Sequence, residues 1–115
     1  MNLTHLHLHV HDVARARRFY EEYFGLRVHV WHGEILFMRD AAGFDLALAP
    51  SAAVPPLPDW LHFGFRLADA ESVRALYRRL VAAAVPVVHA LVDESDFVSF
   101  RCADPDGYTI EVYWE

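Results

Sequence analysis

The feature that most constrains the fold is an internal repeat with an offset of 57 residues. His5 is followed seven residues later by Asp12, and His62 is followed seven residues later by Asp69. In each copy the histidine lies in a segment that alternates apolar and polar residues, and the aspartate stands where a helical pattern begins. Two copies of one strand–helix unit would place the two histidines at equivalent positions.

The first copy predicts one strand, one helix and three further strands. Leu3–Val10 alternates cleanly, with leucine and valine on one face and histidines on the other, which is typical of a strand with one buried face. Asp12 suits the N-cap of the following helix, and Gly25 is its expected C-terminal stop. Turn residues then separate three short apolar segments. These predicted strands are Arg27–His32, Glu34–Arg39 and Asp45–Ala49.

The second copy repeats this order. Leu61–Leu67 alternates, Asp69 caps a helix, and Pro86 is expected to end that helix. The strands that follow are predicted near Val87–Val92, Phe97–Ala103 and Tyr108–Trp114. We therefore predict an α+β fold of two βαβββ modules, about residues 1–49 and 60–115, joined by the proline-rich connector 50–59.

We expect these two modules to form a single domain, because a module of about 50 residues buries too little surface to fold alone. Each helix should cover one face of its sheet. The opposite face, which carries the histidines, would line a curved ligand-binding groove.

Composition excludes several classes of function. The net charge of −6 and the scattered arginines argue against a nucleic-acid partner. All ten basic residues are arginine, so lysine Schiff-base chemistry is impossible. The single cysteine, Cys102, cannot form an intrachain disulfide, and its strand parity predicts a buried, inert thiol. No apolar run approaches the roughly 20 residues that span a bilayer, and no signal peptide is evident, so we expect a cytoplasmic protein.

The last strand adds a carboxylate to the histidine face. Glu111 lies between two apolar residues in a strand that should be buried, where an unpaired carboxylate is costly. A metal ion is one solution and an arginine such as Arg101 is another. When the halves are aligned on their turns, Glu111 matches Ala47, so the first half supplies no fourth ligand. The predicted ligands, His5, His62 and Glu111, suit Fe²⁺, Mn²⁺ or catalytic Zn²⁺.

The chain resembles the vicinal oxygen chelate superfamily, also called the glyoxalase, bleomycin-resistance and extradiol dioxygenase superfamily. The resemblance covers nearly the whole chain. It is carried by His5-Leu6-His7-Leu8-His9-Val10-His11-Asp12, Phe19-Tyr20, Phe24-Gly25-Leu26, His62 and Asp104-Pro105-Asp106-Gly107-Tyr108-Thr109-Ile110-Glu111. It implies paired βαβββ modules, a divalent metal held by the three predicted ligands, and a homodimer. If modules are exchanged between chains, His5 would join the other two ligands of a partner.

Departures from the family's patterns narrow the expected activity. Glyoxalase I and methylmalonyl-CoA epimerase look like four-ligand enzymes, and Ala47 cannot ligate a metal. Fosfomycin thiol transferases share the three-ligand pattern but use a lysine near the phosphonate, and this chain has none. We expect a metal-dependent enzyme that chelates two oxygens of a small substrate, either a ring-cleaving dioxygenase or a glyoxalase-like lyase. The alternative is a bleomycin-resistance-type protein that sequesters an aromatic antibiotic or metabolite in the dimer groove.

Five further side chains are candidates for the site. His7 shares the face of His5 and could act as a general base or form a polar wall. Tyr113 could donate a proton to the substrate, or simply pack in the cavity. Arg101 could bind a substrate carboxylate or phosphate, or pair with a neighbouring acid. Trp31 and Trp60 could wall the substrate pocket, although aromatic residues are more often part of the core.

Overall fold

The computed structural model describes residues 1–115 and contains two compact units, Met1–Pro56 and Leu57–Glu115. The first unit comprises β1 (His5–Val10), α1 (Val13–Phe24), β2 (Arg27–His32), β3 (Ile35–Arg39) and β4 (Asp45–Pro50). The second comprises β5 (His62–Arg66), α2 (Ala70–Ala82), β6 (Val87–Asp93), β7 (Val98–Ala103) and β8 (Thr109–Trp114). Each unit is one βαβββ module, so the predicted α+β fold is confirmed.

Each unit contains a mixed four-stranded sheet whose first strand pairs in parallel with its last. The strand orders are β1-β4-β3-β2 and β5-β8-β7-β6, and the remaining pairings are antiparallel. Helix α1 packs on β4, and α2 packs on β6, β7 and β8. The alternation in β1 gives the predicted pattern of burial. Leu8 and Val10 are buried, whereas His5, His7 and His9 are exposed. Neither helix is long and apolar enough to cross a membrane.

Both helices begin at the predicted caps. The side chain of Asp12 accepts a hydrogen bond from the backbone of Arg15, at 3.0 Å, and Asp69 accepts one from Ser72, at 2.7 Å. Each bond satisfies an amide that the first helical turn leaves without a partner. The caps therefore fix the residue at which each helix begins after its β-strand.

The end of α2 differs from the prediction, because the helix ends at Ala82 and does not continue to Pro86. The residue that turns the chain is Ala84, which has the left-handed φ of 58°. The backbone N–H of Val85 then bonds the carbonyl of Leu80 at 3.0 Å, which closes a Schellman-type end. This end was not predicted because alanine is seldom found in that conformation.

Replacing Ala84 by glycine is expected to stabilise the protein by about 0.5–1 kcal/mol, because glycine adopts positive φ without steric cost. Helix α1 supplies the control, since Gly25 at its C-cap also has a left-handed φ, of 68°. Gly25→Ala should destabilise the protein by about 1 kcal/mol. Urea unfolding measures both changes, and a destabilising Ala84→Gly would contradict the assignment of strain to this position.

The turn before the last strand is the same in both modules. In the first, Asp40 Oδ1 accepts hydrogen bonds from the amides of Ala42 and Phe44, each at 2.9 Å. In the second, Asp104 Oδ1 accepts from the amides of Asp106 and Tyr108, also at 2.9 Å. The turn alignment that matched Glu111 with Ala47 therefore has a structural basis.

Candidate metal site

The polar face of the second sheet differs from the equivalent face of the first. In the second unit one row across four strands reads Gly64, Glu111, Arg101 and His89. The equivalent row of the first unit reads His7, Ala47, Phe37 and Val30. Residues in one row share a sheet face. The two modules have kept the same register, but the row that is charged in the second is mostly apolar in the first.

Two of the predicted metal ligands meet on this face. His62 Nε2 lies 3.5 Å from Glu111 Oε2, and their side chains are 27% and 23% exposed. The other ring nitrogen of His62, Nδ1, lies 2.9 Å from the carbonyl oxygen of Trp60. A carbonyl can only accept, so Nδ1 carries the hydrogen and the lone pair of the neutral ring is at Nε2. In the neutral ring, Nε2 therefore presents its lone pair to Glu111 Oε2 across 3.5 Å; in the protonated ring, Nε2 carries the hydrogen of an ion pair with the same oxygen.

The second oxygen of the carboxylate has its own partner. Ser99, on β7, donates a hydrogen bond from Oγ to Glu111 Oε1 at 2.9 Å. Arg101 stands directly opposite Glu111 in the register, but its guanidinium makes no hydrogen bond or ion pair within the chain. The partners of Glu111 are therefore Ser99 and His62, and the alternative pairing with Arg101 is not formed.

The donor set fits a divalent metal ion. Two ligand atoms that are each about 2.1 Å from one ion lie roughly 3.0–3.5 Å apart at ordinary coordination angles. The observed 3.5 Å between His62 Nε2 and Glu111 Oε2 lies at the edge of that range. Hydrogen bonds orient both ligands through their other atoms, as is usual around bound metals.

Gly64 keeps the space beside Glu111 open. A Cβ atom at Gly64 would stand 3.2 Å from the Glu111 carbonyl oxygen and 3.6 Å from its Cβ. The matching position of the first module carries His7, beside Ala47, so the module without the carboxylate has a side chain where the second module has glycine.

The third predicted ligand, His5, lies on β1 in the first unit. No group of three His, Cys, Asp or Glu side chains is assembled in metal-binding geometry, so the structure brings together two of the three ligands. His5 is exposed, and its Nδ1 is 3.4 Å from Thr4 Oγ1. Its membership of the site stays a prediction.

The cross-strand partner of His5 is Asp45, which is already paired. Arg39 binds both oxygens of Asp45, at 2.7 and 3.0 Å. These hydrogen bonds, and to a smaller extent the charge of Arg39 itself, hold the pKa of Asp45 below its ordinary value, with the least contribution from His29 and His5. Because Asp45 is paired with Arg39, the carboxylate opposite His5 already has its negative charge balanced by the guanidinium.

The two predicted proton-transfer residues lie in different units. Tyr113 lies on the same face of β8 as Glu111, opposite Ser99. His7 is exposed on β1, and its ring is 5.4 Å from the ring of His9 in an edge-on arrangement. Both roles remain predictions.

The two predicted pocket walls differ in position. Trp31 is 49% exposed on the edge strand β2 and pairs with Leu36, whose own partner is Leu48. The same row continues to the buried Leu8 of β1, whose side chain lies on the opposite face of the sheet from the β1 histidines. Trp31 therefore also lies on the face away from those histidines. Trp60 precedes β5 with its side chain 73% exposed, and its contact with the site is through its carbonyl oxygen.

Three participants were not predicted: the hydroxyl of Ser99, the backbone of Gly64 and the carbonyl of Trp60. Ser99 carried a usable signal, because it is a lone hydroxyl in an apolar strand with the parity of Arg101. A backbone carbonyl carries no signal in the sequence, since every residue has one.

The prediction for Cys102 is confirmed, because its side chain is fully buried in β7. Burial raises the pKa of this thiol to about 12, with a further contribution from the charge of Asp104. Almost none of it is thiolate near neutral pH, so Cys102 is not a nucleophile for this site.

Comparison with known proteins decides the family. A family model described as the Glyoxalase/Bleomycin resistance protein/Dioxygenase superfamily matches residues 2–112. The chain belongs to this superfamily. Its likeness to solved structures agrees, since a possible glyoxalase from Bacillus cereus superposes with a TM-score of 0.84 at 35% identity, covering 97% of each chain.

Two curated relatives of this superfamily member are similar over most of their length. An uncharacterized protein of Pseudomonas aeruginosa, PA2024, is 36% identical over 120 residues, covering 95% of this chain and 85% of the relative. Glutathione transferase FosA of Serratia marcescens is 32% identical over 118 residues, covering 97% and 79%. The predicted resemblance and fold are therefore confirmed, whereas a specific activity is not settled by these relatives.

Proposed function

We propose that this superfamily member is a metal-dependent enzyme that binds two neighbouring oxygens of a small substrate, as a ring-cleaving dioxygenase or a glyoxalase-like lyase. The observation that carries the proposal is the pair His62 Nε2 and Glu111 Oε2, which face each other at 3.5 Å. His5 is the proposed third ligand, and Fe²⁺, Mn²⁺ or Zn²⁺ the proposed ion. When bound, the ion supplies Lewis-acid polarisation of the substrate oxygens.

The unpaired guanidinium of Arg101 supports an anionic group on the substrate. Arg101 is half-buried, stands opposite Glu111 on the neighbouring strand, and has no acceptor within the chain. A planar guanidinium binds carboxylate or phosphate through two parallel hydrogen bonds. Tyr113 and His7 are the proposed proton-transfer residues.

The remaining proposals concern pocket walls, assembly and location. Trp60 is the better candidate for a wall, because it adjoins the His62 strand, whereas Trp31 lies on the other face of its sheet. The superfamily generally forms dimers, and we propose a homodimer located in the cytoplasm.

Metal content tests the enzyme proposal directly. Wild-type protein should bind close to one divalent ion per chain, and His62→Ala and Glu111→Gln should each bind it at least roughly 100-fold more weakly, because a lost ligand costs more than a lost supporting hydrogen bond. Glu94→Gln, on an exposed acid away from the site, is the charge-matched control and should bind normally. Calorimetric titration with Mn²⁺ measures all four proteins.

The result also separates the enzyme from a sequestering protein. No binding of Fe²⁺, Mn²⁺ or Zn²⁺ by the wild type would defeat the enzyme proposal. Tight binding of an aromatic compound without turnover, unchanged by Glu111→Gln, would support the bleomycin-resistance-type alternative.

Thiol transfer is a second candidate, favoured by the 32% identity to glutathione transferase FosA. The absence of lysine in this chain counts against it, although Arg101 provides a cation beside Glu111. Consumption of glutathione in the presence of an epoxide by metal-loaded protein, lost in Glu111→Gln, would favour transfer over the lyase and dioxygenase reactions.

A further inference from the structure

We propose that Ser99 is a positioning residue that restricts Glu111 to binding metal through one oxygen, a role that rests on the metal-dependent function proposed above. The hydroxyl of Ser99 donates to Glu111 Oε1 at 2.9 Å. The opposite oxygen, Oε2, is the one that faces His62 Nε2. The two carboxylate oxygens therefore have different surroundings in the absence of an ion: Oε1 accepts a hydrogen bond, and Oε2 faces the imidazole.

The burial of Ser99 indicates that this hydrogen bond is maintained. Ser99 is 6% exposed and stands in β7 between two fully buried apolar residues. A buried hydroxyl needs a partner, and a carboxylate with little exposure needs donors. The bond satisfies the buried hydroxyl of Ser99 and one oxygen of the part-buried carboxylate.

The two cross-strand neighbours of Glu111 in its own row do not perform this task. Gly64, on one side of Glu111, has no side chain, and Arg101, on the other side, makes no hydrogen bond or ion pair with the carboxylate. Without the Ser99 hydroxyl, Glu111 is free to rotate and to offer both oxygens to an ion or to pair with Arg101. Ser99 prevents both rearrangements by holding Oε1.

The consequence concerns how many coordination positions stay open for the substrate. A carboxylate that binds through one oxygen takes one position, whereas one that binds through both takes two. If His5 and His62 were the other ligands, a six-coordinate ion held by Glu111 through one oxygen would keep three positions open. Those accommodate a substrate with two neighbouring oxygens and one further small ligand.

Threonine and valine at position 99 provide a matched pair of test variants. The two side chains have the same shape and both suit a β-strand, so they share any packing disturbance and differ in the hydroxyl. We expect Ser99→Thr to bind Mn²⁺ like the wild type. Ser99→Val should bind it about 10- to 100-fold more weakly, the usual effect of losing a supporting hydrogen bond to a ligand. Calorimetric titration measures affinity, and water-proton relaxation counts exchangeable waters on the bound Mn²⁺.

The relaxation measurement separates positioning from a merely structural role. We expect Ser99→Val to carry fewer exchangeable waters per bound Mn²⁺ than Ser99→Thr, while their thermal unfolding midpoints agree. Equal affinity and equal water counts in the two variants would overturn the proposal. A weaker affinity with an unchanged water count would overturn the one-oxygen mode.

The same experiment distinguishes this proposal from the function on which it rests. If the wild type binds no metal, both the proposed function and the proposed role of Ser99 are wrong. A wild type that binds metal and loses it in Glu111→Gln, while Ser99→Thr and Ser99→Val bind alike and with equal water counts, defeats the role of Ser99 alone.

Discussion

Replacing His5 by alanine is expected to weaken Mn²⁺ binding at least roughly 100-fold, as for any direct ligand, whereas His7→Ala should stay within about threefold of the wild type. The reason is that the two modules place His5 and His62 at equivalent positions. His5 begins β1 as His62 begins β5, and each stands at the start of the parallel pairing with the last strand of its module. His7 corresponds to Gly64, a position where the second module needs no side chain.

Titration of the two variants under one set of conditions provides the measurement, and each serves as the control for the other. Both remove an exposed imidazole from the same face of β1, so a general effect on charge or on the strand would appear in both. Normal binding by His5→Ala would remove His5 from the ligand set. Equal losses in both variants would indicate that β1 acts through its folding rather than through a specific ligand.

A mixture of His5→Ala and Glu111→Ala chains then shows whether the ligands come from one chain or from two. If each site takes His5 from one chain and Glu111 from another, a mixed dimer contains one intact site and regains metal binding. If each site is built within a chain, both sites of the mixed dimer lack a ligand, and binding stays lost.

Replacing Phe100 by alanine is expected to destabilise the protein by about 3–5 kcal/mol, the usual cost of emptying a buried aromatic position. Phe100 is 1% exposed, and its ring lies 5.1 Å from that of Tyr77 on α2. The lost ring leaves a cavity where α2 packs on its sheet, and a close-packed interior relaxes only partly to fill it. Urea unfolding measures the loss.

The control for Phe100 is Val88→Ala on the edge strand β6. Val88 is 46% exposed, so its truncation should change the stability by no more than about 0.5 kcal/mol. A loss below about 1.5 kcal/mol for Phe100→Ala would mean that the interior of the second unit collapses around the cavity. Phe100 stands between Ser99 and Arg101, so the same strand carries core residues on one face and site residues on the other.

Much of the fold was predictable because its signals are local. The cap residues Asp12 and Asp69 sit beside the segments they start, and alternation over six or seven residues is enough to define a half-buried strand. The end of α2 was predicted wrongly at Pro86, because the left-handed Ala84 depends on how the following chain is tied back to Leu80. Such a constraint has no pattern in the sequence.

The candidate site was predictable in its residue types and not in its contacts. The repeat singled out His62, and the motif around the last turn singled out Glu111. The partner of that carboxylate was left open between a metal and Arg101; within the chain, the structure bonds one oxygen to Ser99 and places the other opposite His62, and Arg101 makes no bond to it. A strand's neighbour across the sheet depends on pairing and register, which the chain alone leaves undetermined.

By itself the sequence determined the two-module order, the caps, the histidine-bearing faces and the superfamily, because each depends on residues close together in the chain or on one repeated spacing. The tertiary structure decided which atoms of those residues are available. It ties His62 Nδ1 to the Trp60 carbonyl and Glu111 Oε1 to Ser99, which leaves Nε2 and Oε2 facing each other. The bond from Ser99 to Glu111 joins two separate strands and exists only once the sheet has formed, whereas the bond from His62 to Trp60 joins residues two apart and depends on how the chain turns into β5.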